Sequence, residues 1–180
     1  GEFAEAVFLL GLGHYWAEEF THSELYLSRA LVLDPNHSEA WDNLGVTAQD
    51  AGRPGEAIAY YSKSIEINPK SNAPRWHRAL ARLALGDYQN GWEDYEFRPG
   101  ISDTLARIGL PRWNGEPNQT IQLVVLPEQG LGDEIMFSSC IPDVTEIVGQ
   151  TILVCSPKLE HLFARSFSNI VVATQYPIQM

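Results

Sequence analysis

A chain of 180 residues with 44% hydrophobic residues has apolar side chain enough for one large packed domain or two small ones. Its formal charge of −11, of which −7 falls in the first 100 residues, and the lack of any Lys/Arg run exclude nucleic acid as a partner. No stretch reaches the ~18 to 20 apolar residues of a membrane span.

At the start of the chain, Gly1, Glu2 and Phe3 read as a cloning remnant. Residues 6–12 are apolar but too few, and without a basic flank, for a secretory signal. Cys140 and Cys155 belong to no CxxC pattern, and no His pair stands at ligand spacing. A cytoplasmic protein is therefore expected, with two buried thiols, no metal and no cofactor. His14, His22, His37, His77 and His161 read as solvated or packing residues.

The first half returns on itself at a spacing of 34: Leu10 with Leu44, Gly11 with Gly45, Ala30 with Ser64, Pro35 with Pro69. A fixed period of that length predicts a solenoid of stacked supersecondary units. Within one period, residues 40–50 and 55–67 carry apolar side chains at helical spacing (Trp41, Leu44, Ala48; Ala57, Ile58, Tyr61, Ile65), broken by Ala51-Gly52-Arg53-Pro54. The unit is a helical hairpin. Small residues recur where two helices must approach closely, at Gly11, Gly45 and Ala79 and again at Ser23, Ala57 and Gly91. Bulk recurs opposite them, at Leu27, Tyr61 and Tyr95. Pro35 and Pro69, preceded by Asp34 and Asn68, stop the second helix of each pair.

Trp41, Leu44-Gly45, Ala57, Tyr61, Ser64 and Pro69 resemble the tetratricopeptide repeat, with Ala48 in place of the usual Tyr. Three hairpins follow, over 4–37, 38–71 and 72–98. The first departs from the pattern at Val7 and His14, the third at Arg75, Ala79 and Gly91. The resemblance implies a concave peptide groove on the first helix of each hairpin: Phe8, Leu12, Tyr15 and Trp16, then Asp42, Val46, Gln49 and Asp50, then Trp76, Leu80 and Leu83. A mixed aromatic and acidic lining suits an extended protein or peptide segment with basic and apolar side chains.

Residues 99–119 are rich in Pro, Gly and polar side chains and read as a linker, after which the helical period stops. Residues 121–126 (IQLVVL) have the composition of a strand covered on both faces. A helix over 134–148, a strand over 151–155, a helix over 157–167 and a strand over 170–173 are predicted next, which makes 120–180 part of a parallel, Rossmann-like sheet. Trp92 and Trp113 are the expected anchors of the linker, and an open sheet edge would favour a homo-oligomer.

Between the first strand and its helix lies PEQGLGDEIMF, with Gly130 and Gly132 as loop-shaping residues and Glu128, Asp133 and Glu134 as crowded carboxylates. The third glycine of a dinucleotide cradle is missing, and carboxylates at a helix start repel phosphate. Asp133 is then either a cap for the helix or an acid placed to take a proton from a substrate hydroxyl.

GDYQNGWEDYEFR, LPRWNGEP and EQGLGDEIMFSS, in that order, resemble bacterial proteins in which tetratricopeptide repeats precede a GT-B glycosyltransferase-like domain. The GLGD loop is similar to that of heptosyltransferases, and O-GlcNAc transferases share the overall plan. The resemblance implies that Asp133 is the catalytic base of a complete enzyme and that these residues form its acceptor-side half. A nucleotide sugar would bind only a second domain, so this chain alone is expected to be inactive. A non-catalytic repeat scaffold with a structural α/β segment is the alternative.

Overall fold

The computed structural model describes residues 1–100, 108–127 and 130–175. They fall into two compact units, Gly1–Arg107 and Ile108–Met180. No helix among the described residues is long and apolar enough to cross a membrane.

The described residues of the first unit form three antiparallel helical hairpins: α1 (Glu2–Trp16) with α2 (Phe20–Leu33), α3 (Ser38–Asp50) with α4 (Pro54–Ile67), and α5 (Ala73–Ala84) with α6 (Tyr88–Tyr95). The turns inside the hairpins share one device, a left-handed residue at Glu18, Gly52 and Gly86, spaced by 34 (φ 59°, 80° and 81°). Only the first hairpin places a side chain there, where glycine is the unstrained choice. Between hairpins, Asp34 and Asn68 leave the helical region (ψ 91° and 82°), as the residue before a proline must.

Close helix approach holds each hairpin together. A Cβ added to Gly45 would sit 2.4 Å from the Tyr61 ring, and one added to Gly11 would sit 2.8 Å from the Leu27 side chain. In the third hairpin the exchange is reversed, and Gly91 on the second helix receives Leu83 from the first, 2.7 Å from where a Cβ would be. Around these contacts run two apolar clusters. One joins Val7, Phe8, Leu27, Ala30 and Leu31 to Ala40 and Leu44 of the next hairpin. The other joins Ala48, Ala57 and Tyr61 to Ala81.

Polar links tie one hairpin to the next and brace the third hairpin internally. The buried hydroxyls of Ser23 and Thr47 lie 3.2 Å apart. Asp94, 5% exposed, accepts from Arg78 Nε and Nη2 at 2.7 and 2.9 Å and from Arg82 Nη1 at 2.6 Å. Arg78 also reaches the Ser62 hydroxyl on α4 at 3.0 Å. The third hairpin, poorest in repeat signature, thus has a bidentate charged lock in its core.

In the second unit, β1 (Asn118–Val125), β2 (Val148–Val154) and β3 (Val171–Ala173) form a parallel sheet in the order β1-β2-β3. The connections carry α7 (Leu131–Phe137), a 3₁₀ turn (Ser138–Cys140), α8 (Ile141–Ile147) and α9 (Glu160–Ser166). The single helix expected over 134–148 is two helices. Pro142 has no N–H to give the carbonyl of Ser138, and the Ser138 and Ser139 hydroxyls bond back to Ile135 O and Met136 O, which tightens the chain into the 3₁₀ turn. Cys140 sits on that turn and is exposed, against the expectation of a buried thiol, whereas Cys155 is buried.

Ile141, Leu153, Cys155, Leu159 and Phe163 make the core of this unit. The apolar residues of β1, expected to be covered on both faces, are only half-buried. Trp92 packs edge-on to Tyr95 at 5.1 Å, and the Trp113 indole donates to Glu116 O at 2.8 Å, so both are engaged within their own units.

Two glycine substitutions test the packing account. Gly45→Ala should lose about 1–3 kcal/mol because Tyr61 must give way. Gly13→Ala, also helical but with nothing within 4 Å of the added Cβ, should gain about 0.5–1 kcal/mol. Urea unfolding of both variants checks the opposed signs, and equal effects would contradict the account.

Candidate functional site

The first helices of successive hairpins, α1, α3 and α5, present a ladder of polar and aromatic groups. Tyr15 on α1 donates its hydroxyl to Asp50 Oδ2 on α3 at 2.7 Å. Asp42, two turns earlier on α3, meets His77 Nδ1 on α5 at 2.9 Å. Between these pairs stands Tyr61, its hydroxyl donating to Gln49 Oε1 at 3.1 Å and its ring centroid 5.6 Å from that of His77.

The electrostatics of the ladder are negative. Burial, then the fields of Asp42, Asp50 and Tyr15, push the Tyr61 hydroxyl far above its ordinary pKa. Burial and the Asp50 carboxylate raise Tyr15 to about 12. Both phenols therefore stay neutral donors at physiological pH, and they hold Gln49 and Asp50 in fixed positions. Asp50 is exposed, and the Asp42 side chain is 15% exposed.

The eleven residues expected to line a groove divide into three groups. Phe8 is 4% exposed and lies against the His37 ring at 4.6 Å, so it belongs to the core and not to a ligand surface. Leu12 and Val46 are half-buried on the two apolar clusters, Leu83 covers Gly91, and Trp76 packs edge-on to Tyr95 at 4.9 Å. Tyr15, Asp42, Gln49 and Asp50 form the ladder. Trp16 is 79% exposed beside Tyr15, and Leu80 is 36% exposed.

His77 and Tyr61 were not among the expected site residues. Tyr15 with Asp50 and Asp42 with His77 are both separated by 35 residues, one repeat plus one. That spacing of a donor and an acceptor was the available signal. His37, read as solvated or packing, caps α3 by accepting from Ala40 N at 3.3 Å and meets Glu5 at 3.1 Å.

In the α/β unit, Asp133 accepts from Gly130 N at 3.1 Å, as the third residue of α7 reaching back to its cap. Glu134 accepts from the Ser156 N–H at 2.9 Å and from the Ser156 hydroxyl, which fastens α7 to the segment after β2. Gly130 has φ −106° and Gly132 is helical, so neither glycine adopts a backbone that only glycine allows. The turn is shaped by the Asp133 carboxylate. Glu128 lies outside the described residues. Asp133 and Glu134 border a cleft of about 170 Å³ at the carboxyl ends of β1 and β2, with Leu126, Pro127, Phe137 and Val154.

The family model described as tetratricopeptide repeat matches residues 38–71, the span of α3, α4 and the turn that closes them. The helical unit is a tetratricopeptide-repeat solenoid. Solved structures share this fold. One is the type III secretion chaperone SycD of Yersinia enterocolitica with a peptide of the translocator YopD (TM-score 0.53, 19% identity, covering 61% of this chain and 88% of that one). Another is the second repeat domain of Spaghetti (RPAP3) with the HSP90 peptide SRMEEVD (TM-score 0.51, 17% identity, 52% of this chain and 87% of that one). By sequence, the chain is 33% identical to Protein FlbA of Caulobacter vibrioides over 166 residues, or 87% of this chain. The likeness to FlbA runs beyond the repeats, and this chain spans 28% of FlbA's length.

The Tyr15 hydroxyl gives the solenoid an alkaline limit. Its folded pKa of about 12 lies above the ordinary 10.0, so its contribution to stability is whole below pH 10 and falls as pH rises toward 12. Thermal unfolding across that window should decline less steeply in Tyr15→Phe than in the parent. Identical profiles would contradict the Tyr15–Asp50 geometry.

Proposed function

We propose that the solenoid is a protein-binding module whose inner face takes an extended segment carrying basic and apolar side chains. The observation that carries this reading is the pair of anchored carboxylates, Asp42 and Asp50, on either side of Val46 and Gln49. They lie two helical turns apart, about 12 Å along α3, which is the reach of a three- to four-residue extended peptide. Lys or Arg at its ends would meet the carboxylates, and apolar side chains between would meet Val46, Leu12 and Leu80. The SycD and RPAP3 structures hold peptides on the same fold, which supports a peptide as ligand. The peptide SRMEEVD is acidic toward its end, whereas the face described here is itself acidic, so the charge preference is reversed. Free thiols at Cys140 and Cys155 suit the reducing cytoplasm, where we place the module.

For the α/β unit a second reading is kept on one observation, the position of Asp133 beside a cleft at the carboxyl ends of parallel strands. In it, the unit is the acceptor-side part of a glycosyltransferase-like protein and Asp133 its base. Against it stands the cap that Asp133 makes on Gly130, which a structural scaffold explains without chemistry.

Fluorescence anisotropy with a labelled Lys/Leu peptide and its Glu/Leu counterpart tests the module. The basic peptide should bind and the acidic one should not, and Asp42→Asn with Asp50→Asn should weaken binding at least about tenfold, the equivalent of 1.4 kcal/mol. Equal binding of both peptides, or no effect of the double variant, would contradict the reading. In a protein extended by a donor domain, Asp133→Asn should abolish transfer if Asp133 is a base, and should change only stability if it is a cap.

A further inference from the structure

The turn between α1 and α2 brings together three groups that the sequence spacing does not advertise. His14, at the end of α1, places Nδ1 2.7 Å from Glu19 Oε2. His22, on the first turn of α2, places its own Nδ1 3.7 Å from the same carboxylate oxygen. The three donor atoms all lie within 4.8 Å of one another. We propose that His14, Glu19 and His22 form a binding site for a divalent transition-metal cation of the zinc class.

The donor set is two imidazole nitrogens and one carboxylate oxygen, which suits zinc and its borderline neighbours and not calcium or magnesium, whose sites are built from oxygen. Around a tetrahedral ion with bonds of about 2.0–2.1 Å, donors stand about 3.3 Å apart. The 2.7 and 3.7 Å separations to Glu19 bracket that value, and the two imidazoles, within 4.8 Å of each other, close on an ion by rotation of side chains that solvent leaves free to move. The fourth position would stay open to water.

One ligand ring is held in place, and the backbone fixes the turn that carries all three. The His14 ring stacks on Tyr26 at 5.0 Å with an interplanar angle of 3°. The backbone closes the turn with Glu19 N–H to His14 O at 2.9 Å and His22 N–H to Glu19 O at 3.0 Å. All three ligands are thus tied to one tight turn, at the cost of a left-handed, non-glycine Glu18.

Comparison with the other repeats separates this site from an ordinary ion-pair lock. One repeat later the positions of His14, Glu19 and His22 are held by Ala48, Arg53 and Glu56, and two repeats later by Arg82, Asp87 and Asn90. There the turns are braced by Arg53 with Glu56 at 2.8 Å and by Asn90 donating to Asp87 at 2.8 Å. Arginine is always protonated and cannot ligate a metal. Only in the first repeat are the partners imidazoles, whose neutral forms offer a lone pair to an ion. His22 at 3.7 Å makes no hydrogen bond to Glu19, and its lone pair is free to turn to a metal.

Isothermal titration calorimetry of the 180-residue chain with zinc chloride, in a buffer without chelators, tests the site. One ion per chain is expected, with affinity reduced at least about tenfold in each of His14→Ala, Glu19→Gln and His22→Ala, and with no heat from magnesium chloride. Cobalt(II) should show the intense visible bands of a tetrahedral nitrogen and oxygen site, absent in the variants. Far-ultraviolet circular dichroism reports whether the variants fold, and Glu19→Gln, closest in shape, decides if an alanine variant does not. No saturable uptake, or uptake unchanged in Glu19→Gln and the folded histidine variants, would overturn the proposal.

Discussion

The contact between Gly45 and Tyr61 is the constraint on which the central hairpin depends. With no side chain at Gly45, the Tyr61 ring lies against the backbone of α3, and α3 and α4 reach a separation that no larger residue would allow. The same contact shapes the proposed ligand face. It carries the Tyr61 hydroxyl through the hairpin to Gln49, between Asp42 and Asp50. In the first hairpin Leu27 fills the equivalent place and brings no polar group, so the ladder on the inner face is centred on the second repeat.

Linkage between hairpins adds polar contacts to the apolar clusters that run from one hairpin to the next. Within a hairpin, size complementarity decides the spacing. Between hairpins, hydrogen bonds and ion pairs set the register: Ser23 with Thr47, Tyr15 with Asp50, Asp42 with His77, Arg78 with Ser62. The inner-face pairs therefore have two roles, as stitches between repeats and as the means by which two carboxylates are held apart at a fixed distance. A ligand meeting them would pay little to order them.

The solenoid was legible because repetition samples the same physical problem three times. Gly or Ala at one position and Leu or Tyr at another, 34 residues apart, expose a packing rule without any structure, and Pro35 and Pro69 mark the hairpin ends. The three parallel strands were legible from β-branched runs alternating with helical stretches, although β1 begins at Asn118 and β2 at Val148, earlier than apolar composition alone indicates. What stayed hidden is what only tertiary approach creates. His14 and His22 are eight residues apart, a separation that brings no two residues of one helix together, and a tight turn makes them neighbours. Asp133 could be read as a cap or a base because both need a carboxylate near a helix start, and only the structure could reveal its bond from the Gly130 N–H. The break at Pro142 was written in the sequence and follows directly from its missing N–H.

The central claim is that the charge of the inner face selects the ligand. Its most direct test is reversal: Asp42→Lys with Asp50→Lys, checked for retained helicity, titrated with a basic and an acidic peptide of equal length. The account expects the preference to invert, the acidic peptide now binding and the basic one excluded. A folded double variant that still prefers the basic peptide would show that the ligand is read elsewhere on the molecule.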